Sequence, residues 1–276
     1  MRDLAVIDIG GTTIKFAAWK NNELMDVHAV DTPKSLEEFY EILEHETNDF
    51  KKKYDVKGVA ISAPGAVNKK TGVIEGASAV PYIHNFKIEQ ELERRFQLPV
   101  SIENDANCAA LAEVAEGAGR DCQNMIFIII GTGVGGSVIM NRKVWHGTHL
   151  FGGEIGYMVA TPTLLTISQV ASPVGMAKRY NEETGKNVDG KTVFDLADQG
   201  DDAAKFQVDQ MAETLGIAIY KISVKILVGI SYWLDFFNLI IWIIFKAIKN
   251  IIVPNIEPVK SNSTSETCPL LPDMNS

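Results

Sequence analysis

Residues 8–15, Asp8-Ile9-Gly10-Gly11-Thr12-Thr13-Ile14-Lys15 (DIGGTTIK), join two apolar β-branched runs, Leu4–Ile9 and Ile14–Trp19, through a turn with paired glycines. A third run, Leu24–Val30, follows Asn21-Asn22. Apolar runs separated by Gly and Asn turns are expected to form an antiparallel three-stranded meander. A second glycine-rich stretch, GTGVGG at 131–136, follows the wholly apolar Met125–Ile130 and leads into Ser137–Met140 as a hairpin partner. The same plan is therefore expected twice in one chain.

Between the two turns the rhythm is strand, polar loop, helix. Ser35 followed by Glu38 is a capping-box pattern, and Leu36, Phe39, Tyr40 and Leu43 recur at helical spacing, so a helix is expected from 35 to about 52. Lys57–Ser62 reads as a buried strand ending in Ala63-Pro64-Gly65, Pro99–Ile102 as another, and Ala106–Ala118 as an alanine-rich helix bounded by Gly117 and Gly119. In such α/β arrangements ligands sit at the carboxyl ends of the strands.

Bulk properties narrow the function. The 276 residues are long enough for two domains, and 46% of them are hydrophobic. A net charge of −9 speaks against a nucleic-acid surface, which needs a concentrated positive field. Three cysteines, Cys108, Cys122 and Cys268, without CxxC spacing suggest neither a disulfide framework nor a zinc cage, and fit a reducing cytoplasmic setting. The N-terminus lacks the apolar core and cleavage site of a secretory signal.

Glycine turns between strands let backbone N–H groups converge on phosphate oxygens, because glycine has no Cβ and tolerates positive φ. Two such turns facing each other could clamp one polyphosphate, although each alone also reads as an ordinary tight turn. In the first, Asp8 can hold a hydrated magnesium ion, Thr12 and Thr13 can donate hydroxyl hydrogen bonds, and Lys15 can neutralise phosphate. The second offers backbone amides and the Thr132 hydroxyl. IENDANCAA, residues 102–110, places Asn104 and Asp105 where a strand gives way to a helix. Asp105 then has two readings, helix N-cap or acceptor of an alcohol proton during phosphoryl transfer, and the two can coexist. Glu154, in the glycine-flanked GGEIGY at 152–157, can accept two hydroxyl hydrogen bonds from a sugar, or be a solvated loop acid. His146 and His149, just upstream, read as surface or structural histidines before they read as ligands.

Taken together, DIGGTTIK, SAPGAV (62–67), ENDAN (103–107), GTGVGG and GGEIGY resemble, in order and spacing, the ROK family of bacterial sugar kinases and repressors within the actin-like ATPase superfamily. The resemblance runs from residue 4 to about 220. It implies an α/β fold of two actin-like (ribonuclease H-like) ATPase domains closing over ATP, with Mg2+, and a hexose. The lobes expected are 1–118 and 119–224, with 225–276 as an atypical segment and the second domain incomplete. It further implies that Asp105 is the general base and that Gly65, Asn104, Asp105 and Glu154 contact the sugar. Asp8, Gly10, Gly11, Thr12, Thr13 and Lys15, with Gly131, Thr132, Gly133, Gly135 and Gly136, face the phosphates, and Asp8 is the magnesium ligand. The substrate class implied is glucose, N-acetylmannosamine or a β-glucoside phosphorylated at a primary hydroxyl, and the family tendency is a homodimer. A repressor is disfavoured because only seven residues precede Asp8, too few for a helix-turn-helix segment.

Two departures qualify the likeness. Many members read EIGH followed by a cysteine-rich zinc loop; here Glu154-Ile155-Gly156-Tyr157 is followed by MVATPTLLTISQVAS, without Cys or His, so no structural zinc is expected. The second departure begins near residue 221. From there the chain has one glycine, Gly229, and one alanine, Ala247, against eleven isoleucines, and the glycine-rich adenosine turn of the family is missing. Ile226–Phe245 is long enough for a membrane anchor, though Asp235 lies within it. A buried core helix and a shift of reading frame are the other two readings. The tail therefore sets a working kinase against a non-catalytic, sugar-binding relic without an adenosine site.

Overall fold

The computed structural model describes residues 3–227, with side chains to Ile222. The chain forms two compact units. The first takes the residues up to Arg120 together with Val138–Gly152; the second takes Asp121–Ser137 and continues from Gly153.

The first unit is built on β1 (Leu4–Ile9), β2 (Thr13–Lys20), β3 (Glu23–Asp31), β4 (Val59–Ala63) and β7 (Val100–Asn104), in the order β3-β2-β1-β4-β7. β1 pairs antiparallel with β2, and β2 with β3, as the alternating pattern predicts. Asn21 and Asn22 both take positive φ, 53° and 67°, the conformation that a two-residue hairpin turn demands. β4 and β7 add in parallel, Ala5 opposite Val59 and Val59 opposite Val100. A small hairpin of β5 (Ala66–Asn68) and β6 (Val73–Glu75) follows β4.

Three helices complete this unit: α1 (Leu36–Tyr54), α2 (Ile88–Phe96) and α3 (Asp105–Ala115). Ser35 caps α1 by accepting the Glu38 amide, and Asp55 ends it in the left-handed region at φ 56°. The buried stripe of α1, Phe39, Tyr40, Leu43, Thr47, Phe50 and Tyr54, recurs every three or four residues. Phe39 and Leu43 are fully buried in a core with Ile7, Phe16, Ile61, Leu92 and Ile102. Each such side chain contributes about 1.5–3 kcal/mol on burial.

The second unit opens with β8 (Met125–Ile130) and continues into β9 (Val134–Met140), whose far end belongs to the first unit and pairs there with β10 (Lys143–Val144). Among the described residues β8 has β9 as its one neighbouring strand, whereas its counterpart β1 is flanked on both sides. Helices α4 (Ile167–Ala171), α5 (Pro173–Thr184), α6 (Gly190–Asp198) and α7 (Asp202–Leu227) pack around Val134, Met176, Tyr180 and Val193. Tyr180 is fully buried, and its hydroxyl donates to Asp201 at 2.9 Å. Of the apolar stretch Ile226–Phe245, two residues end α7 and the rest lies outside the described residues, as does the tail to Ser276. No helix among the described residues is long and apolar enough to cross a membrane.

Candidate functional site

Parallel pairing sets the polar ends of three strands side by side. Asp8 of β1 stands opposite Ser62 of β4, and Ser62 opposite Glu103 of β7, so the three share a register at the carboxyl end of the sheet. Ser62 donates its hydroxyl to Asp8 at 2.8 Å, and Lys15, Asp8's partner across the β1–β2 hairpin, donates to the same carboxylate at 3.1 Å. Lys15 and Asp8, given separate roles by the sequence, thus form an ion pair. Cys108, one turn into α3, lies close enough to feel Ser62, Asp8, Glu103 and Asp105. Burial, with the negative charge of Glu103, pushes its thiol up to about 11, which keeps it protonated and inert at neutral pH.

The junction of β7 and α3 corrects one expectation. Asn104, not Asp105, is the N-cap: its side-chain oxygen accepts the Asn107 amide at 3.1 Å, while its Nδ2 donates to the carbonyl of Gly65 at 3.0 Å. An amide serves both partners at once, since it carries an acceptor and a donor; a carboxylate would repel the carbonyl. Asp105 is consequently the first helical residue, and its Oδ1 accepts the neighbouring Ala106 amide at 2.8 Å. The Asp105 side chain reaches solvent, yet protein crowding its other sides strips away enough water to raise its pKa. The negative charge of Asp8 adds to that rise, and the Ala106 hydrogen bond opposes it.

Gly65 sits at φ +105°, and a Cβ there would come within 2.7 Å of His84 and 2.8 Å of Ile74. Only glycine fits, and its carbonyl is what Asn104 grips. The first glycine turn closes through the Gly10 amide donating to Thr13 at 3.0 Å, and Thr32, just past the end of β3, clasps it, donating its amide to Thr12 and its hydroxyl to Gly10. Among the described residues the amides of Gly11 and Thr12 donate to no protein acceptor, and both residues are exposed.

In the second unit GTGVGG is shorter as a turn than the sequence suggests. β9 begins at Val134, so Gly135 and Gly136 are strand residues, and the turn is Gly131, Thr132 and Gly133. Gly136 is glycine for packing: a Cβ would meet Ile155 at 2.6 Å and the carbonyl of Gly153 at 2.8 Å. Around Gly131 there is open space. The Gly131 amide donates to Gly133 and that of Val134 to Ser168, which leaves the amides of Thr132 and Gly133 without an acceptor among the described residues. Glu154 is half-buried at the start of a single 3-10 turn, Ile155–Tyr157. That turn presses Gly156 onto the backbone of Val134, leaving no room for a side chain. Tyr157 is exposed.

The first unit therefore gathers Asp8, Gly10, Gly11, Thr12, Thr13, Lys15, Gly65, Asn104 and Asp105 around the ends of β1, β4 and β7, and the second carries Gly131–Gly136 and Glu154 on its own turn and loop. Three participants escaped the sequence reading. Ser62 and Glu103 lie within the SAPGAV and ENDAN motifs, which give neither a role of its own, and His146 reads from the sequence as a surface or structural histidine. His146 Nε2 lies 3.0 Å from the Glu103 carboxylate. Among the described residues no group of three or more His, Cys, Asp or Glu side chains could hold a metal ion, so a cation at Asp8 would take most of its ligands from elsewhere.

A five-stranded sheet of order β3-β2-β1-β4-β7 with polar strand ends, followed by a second glycine-turn meander, defines a chain of the actin-like ATPase fold class. Within that class it belongs to the ROK family, whose family model matches residues 4–227. It is 32% identical over 234 residues to a β-glucoside kinase of Listeria innocua, covering 79% of this chain and 77% of that protein. Among solved structures it is similar to a ROK family protein from Streptococcus pneumoniae in complex with sucrose, with 37% identity, a TM-score of 0.72 and coverage of 80% and 76% of the two chains. A ROK family glucokinase from Streptomyces griseus in complex with glucose and AMPPNP matches with 26% identity, a TM-score of 0.65 and coverage of 80% and 79%.

Proposed function

We propose that this chain is a sugar kinase that transfers the γ-phosphoryl group of ATP to a primary hydroxyl of a hexose, of the glucose, N-acetylmannosamine or β-glucoside class. The observation that carries the reading is Asp105, released from capping by Asn104 and raised in pKa by burial at the carboxyl end of the sheet. As the sugar oxygen bonds to the γ-phosphorus and the bond to the departing ADP oxygen breaks, Asp105 accepts the hydroxyl proton. A raised pKa makes it a better base.

Asn104 has one donor and one acceptor committed within the protein, to Gly65 and Asn107. Its second lone pair remains for a sugar hydroxyl, and in this reading Glu154 is a further sugar-binding residue. The unpaired amides of Gly11, Thr12, Thr132 and Gly133 are the phosphate-facing donors, with Lys15 as the nearby cation. Asp8 is the residue that would hold magnesium, whose charge neutralises the phosphates. The β-glucoside kinase and glucokinase among the relatives support this reading.

ADP release, measured by a coupled assay over a panel of hexoses, tests it. Turnover with at least one sugar, abolished in Asp105→Asn with folding intact, is expected. Sugar binding by calorimetry without any ATP binding or ADP release refutes the kinase reading in favour of a non-catalytic sugar-binding chain.

A further inference from the structure

We propose that His146 is a positioning residue, which through Glu103 locks the segment bearing Asn104 and Asp105 to the loop that leads into Glu154; this rests on the sugar-kinase reading. Glu103 is a hub. Its Oε1 accepts the Asn104 amide at 2.9 Å and Asn107 Nδ2 at 3.0 Å, and both its oxygens lie within 3.2 Å of His146 Nε2. A carboxylate only accepts, so His146 donates from Nε2. Side-chain exposure is 25% for the imidazole and 15% for the carboxylate, which shelters the bond from competing water.

The main chain of His146 does a second job. Its carbonyl accepts the Gly152 amide at 2.9 Å, closing the loop 146–152 at the first residue of GGEIGY. The closure is tight: a Cβ on Gly152 would lie 2.1 Å from the Trp145 carbonyl oxygen. One residue therefore holds the neck of the sugar-motif loop through its backbone and the catalytic segment through its side chain. Folding does not depend on that side chain alone, because Arg142 ties the same stretch to the end of α3, donating to the carbonyls of Val114 at 2.7 Å and Arg120 at 2.6 Å.

Losing the imidazole frees Glu103 to turn, and with it the amide of Asn104 and the side chain of Asn107. Displacement of a catalytic group by ~1 Å costs on the order of 100-fold in rate, so His146→Ala is expected to lower kcat by roughly 10- to 100-fold with KM for ATP unchanged. His146→Gln, whose amide can still donate to Glu103, is expected to recover most of the loss. Hydrogen–deuterium exchange of the peptide spanning 103–108 supplies a readout that needs no turnover: faster exchange in His146→Ala, restored in His146→Gln. Wild-type exchange in the alanine variant overturns the lock, and wild-type kcat despite faster exchange overturns its positioning role. Should the unmodified protein release no ADP with any sugar, the kinase reading fails, and the exchange data by themselves decide the lock.

Discussion

Replacing Asn104 by alanine breaks two hydrogen bonds of different kinds. The first is the cap to the Asn107 amide, 3.1 Å, whose loss leaves an orphan donor at the start of α3 and costs about 1 kcal/mol. The second is the 3.0 Å bridge to the Gly65 carbonyl, worth about another 1 kcal/mol. The two act on different elements and add to about 2 kcal/mol, or a fall in Tm of roughly 4–8 °C for a fold of this size. Asn104→Ser separates them, since a serine caps as well as asparagine but is too short to reach Gly65, and about half the loss should return. Thermal melts followed by circular dichroism, at fixed pH and without ligand, measure both variants. An alanine variant melting within about 1 °C of the wild type, or a serine variant no better than alanine, would refute the assignment of Asn104 as cap and bridge.

Asp105→Asn should melt above the wild type at pH 7.5 while losing turnover. Burial raises the Asp105 carboxyl above its ordinary value of 3.8, so folding stability falls as the pH climbs through the raised value, and the advantage of asparagine should vanish as the pH drops below that range; an equal or lower melting temperature at pH 7.5 contradicts the desolvation. Gly131→Ala meets only open space, so the fold should persist and any loss should appear in nucleotide binding, whereas Gly156→Ala drives a Cβ to 1.8 Å from the Val134 carbonyl and should destabilise the second unit; matched melts and binding isotherms separate the two effects. Cys108, with its thiol near 11, should alkylate at pH 8 on the order of 100-fold more slowly than an unperturbed thiol of pKa ~8.5. Labelling kinetics by mass spectrometry check this, and rapid modification of Cys108 in the folded protein contradicts the raised thiol.

What could be read from the sequence was whatever leaves a local mark. The meander over residues 4–31 was legible because strand alternation and the Asn21-Asn22 turn are short-range signals, and α1 because Ser35 and the Phe39–Leu43 spacing are too. Swapping the cap from Asp105 to Asn104 was not legible. Both residues are good caps, and the choice is made by the Gly65 carbonyl, 39 residues away. Gly135 and Gly136 looked like turn residues because composition cannot distinguish a glycine needed for positive φ from one needed for close packing against Ile155. The pairing of His146 with Glu103 spans 43 residues and follows no motif, so only the folded chain reveals it. Most of the apolar segment after residue 225 lies outside the described residues.

The route of the chain has a consequence for how the protein is made. It leaves the first unit at Asp121, returns at Val138 and departs again after Gly152. During synthesis the main core cluster of that unit, whose last member is Ile102, can collapse while β8 and β9 are still being added. Residues 138–152 arrive some seconds later at ~5–20 residues per second. For that interval the nascent chain possesses a sheet and Asp105 but neither Arg142 nor His146. A ribosome stalled in the window would present the Asn104–Asp105 segment before the residues that bond to Glu103 and to the end of α3. The same interleaving means that no single cut yields the first unit whole, so recombination between relatives must exchange both segments together to pass it on intact.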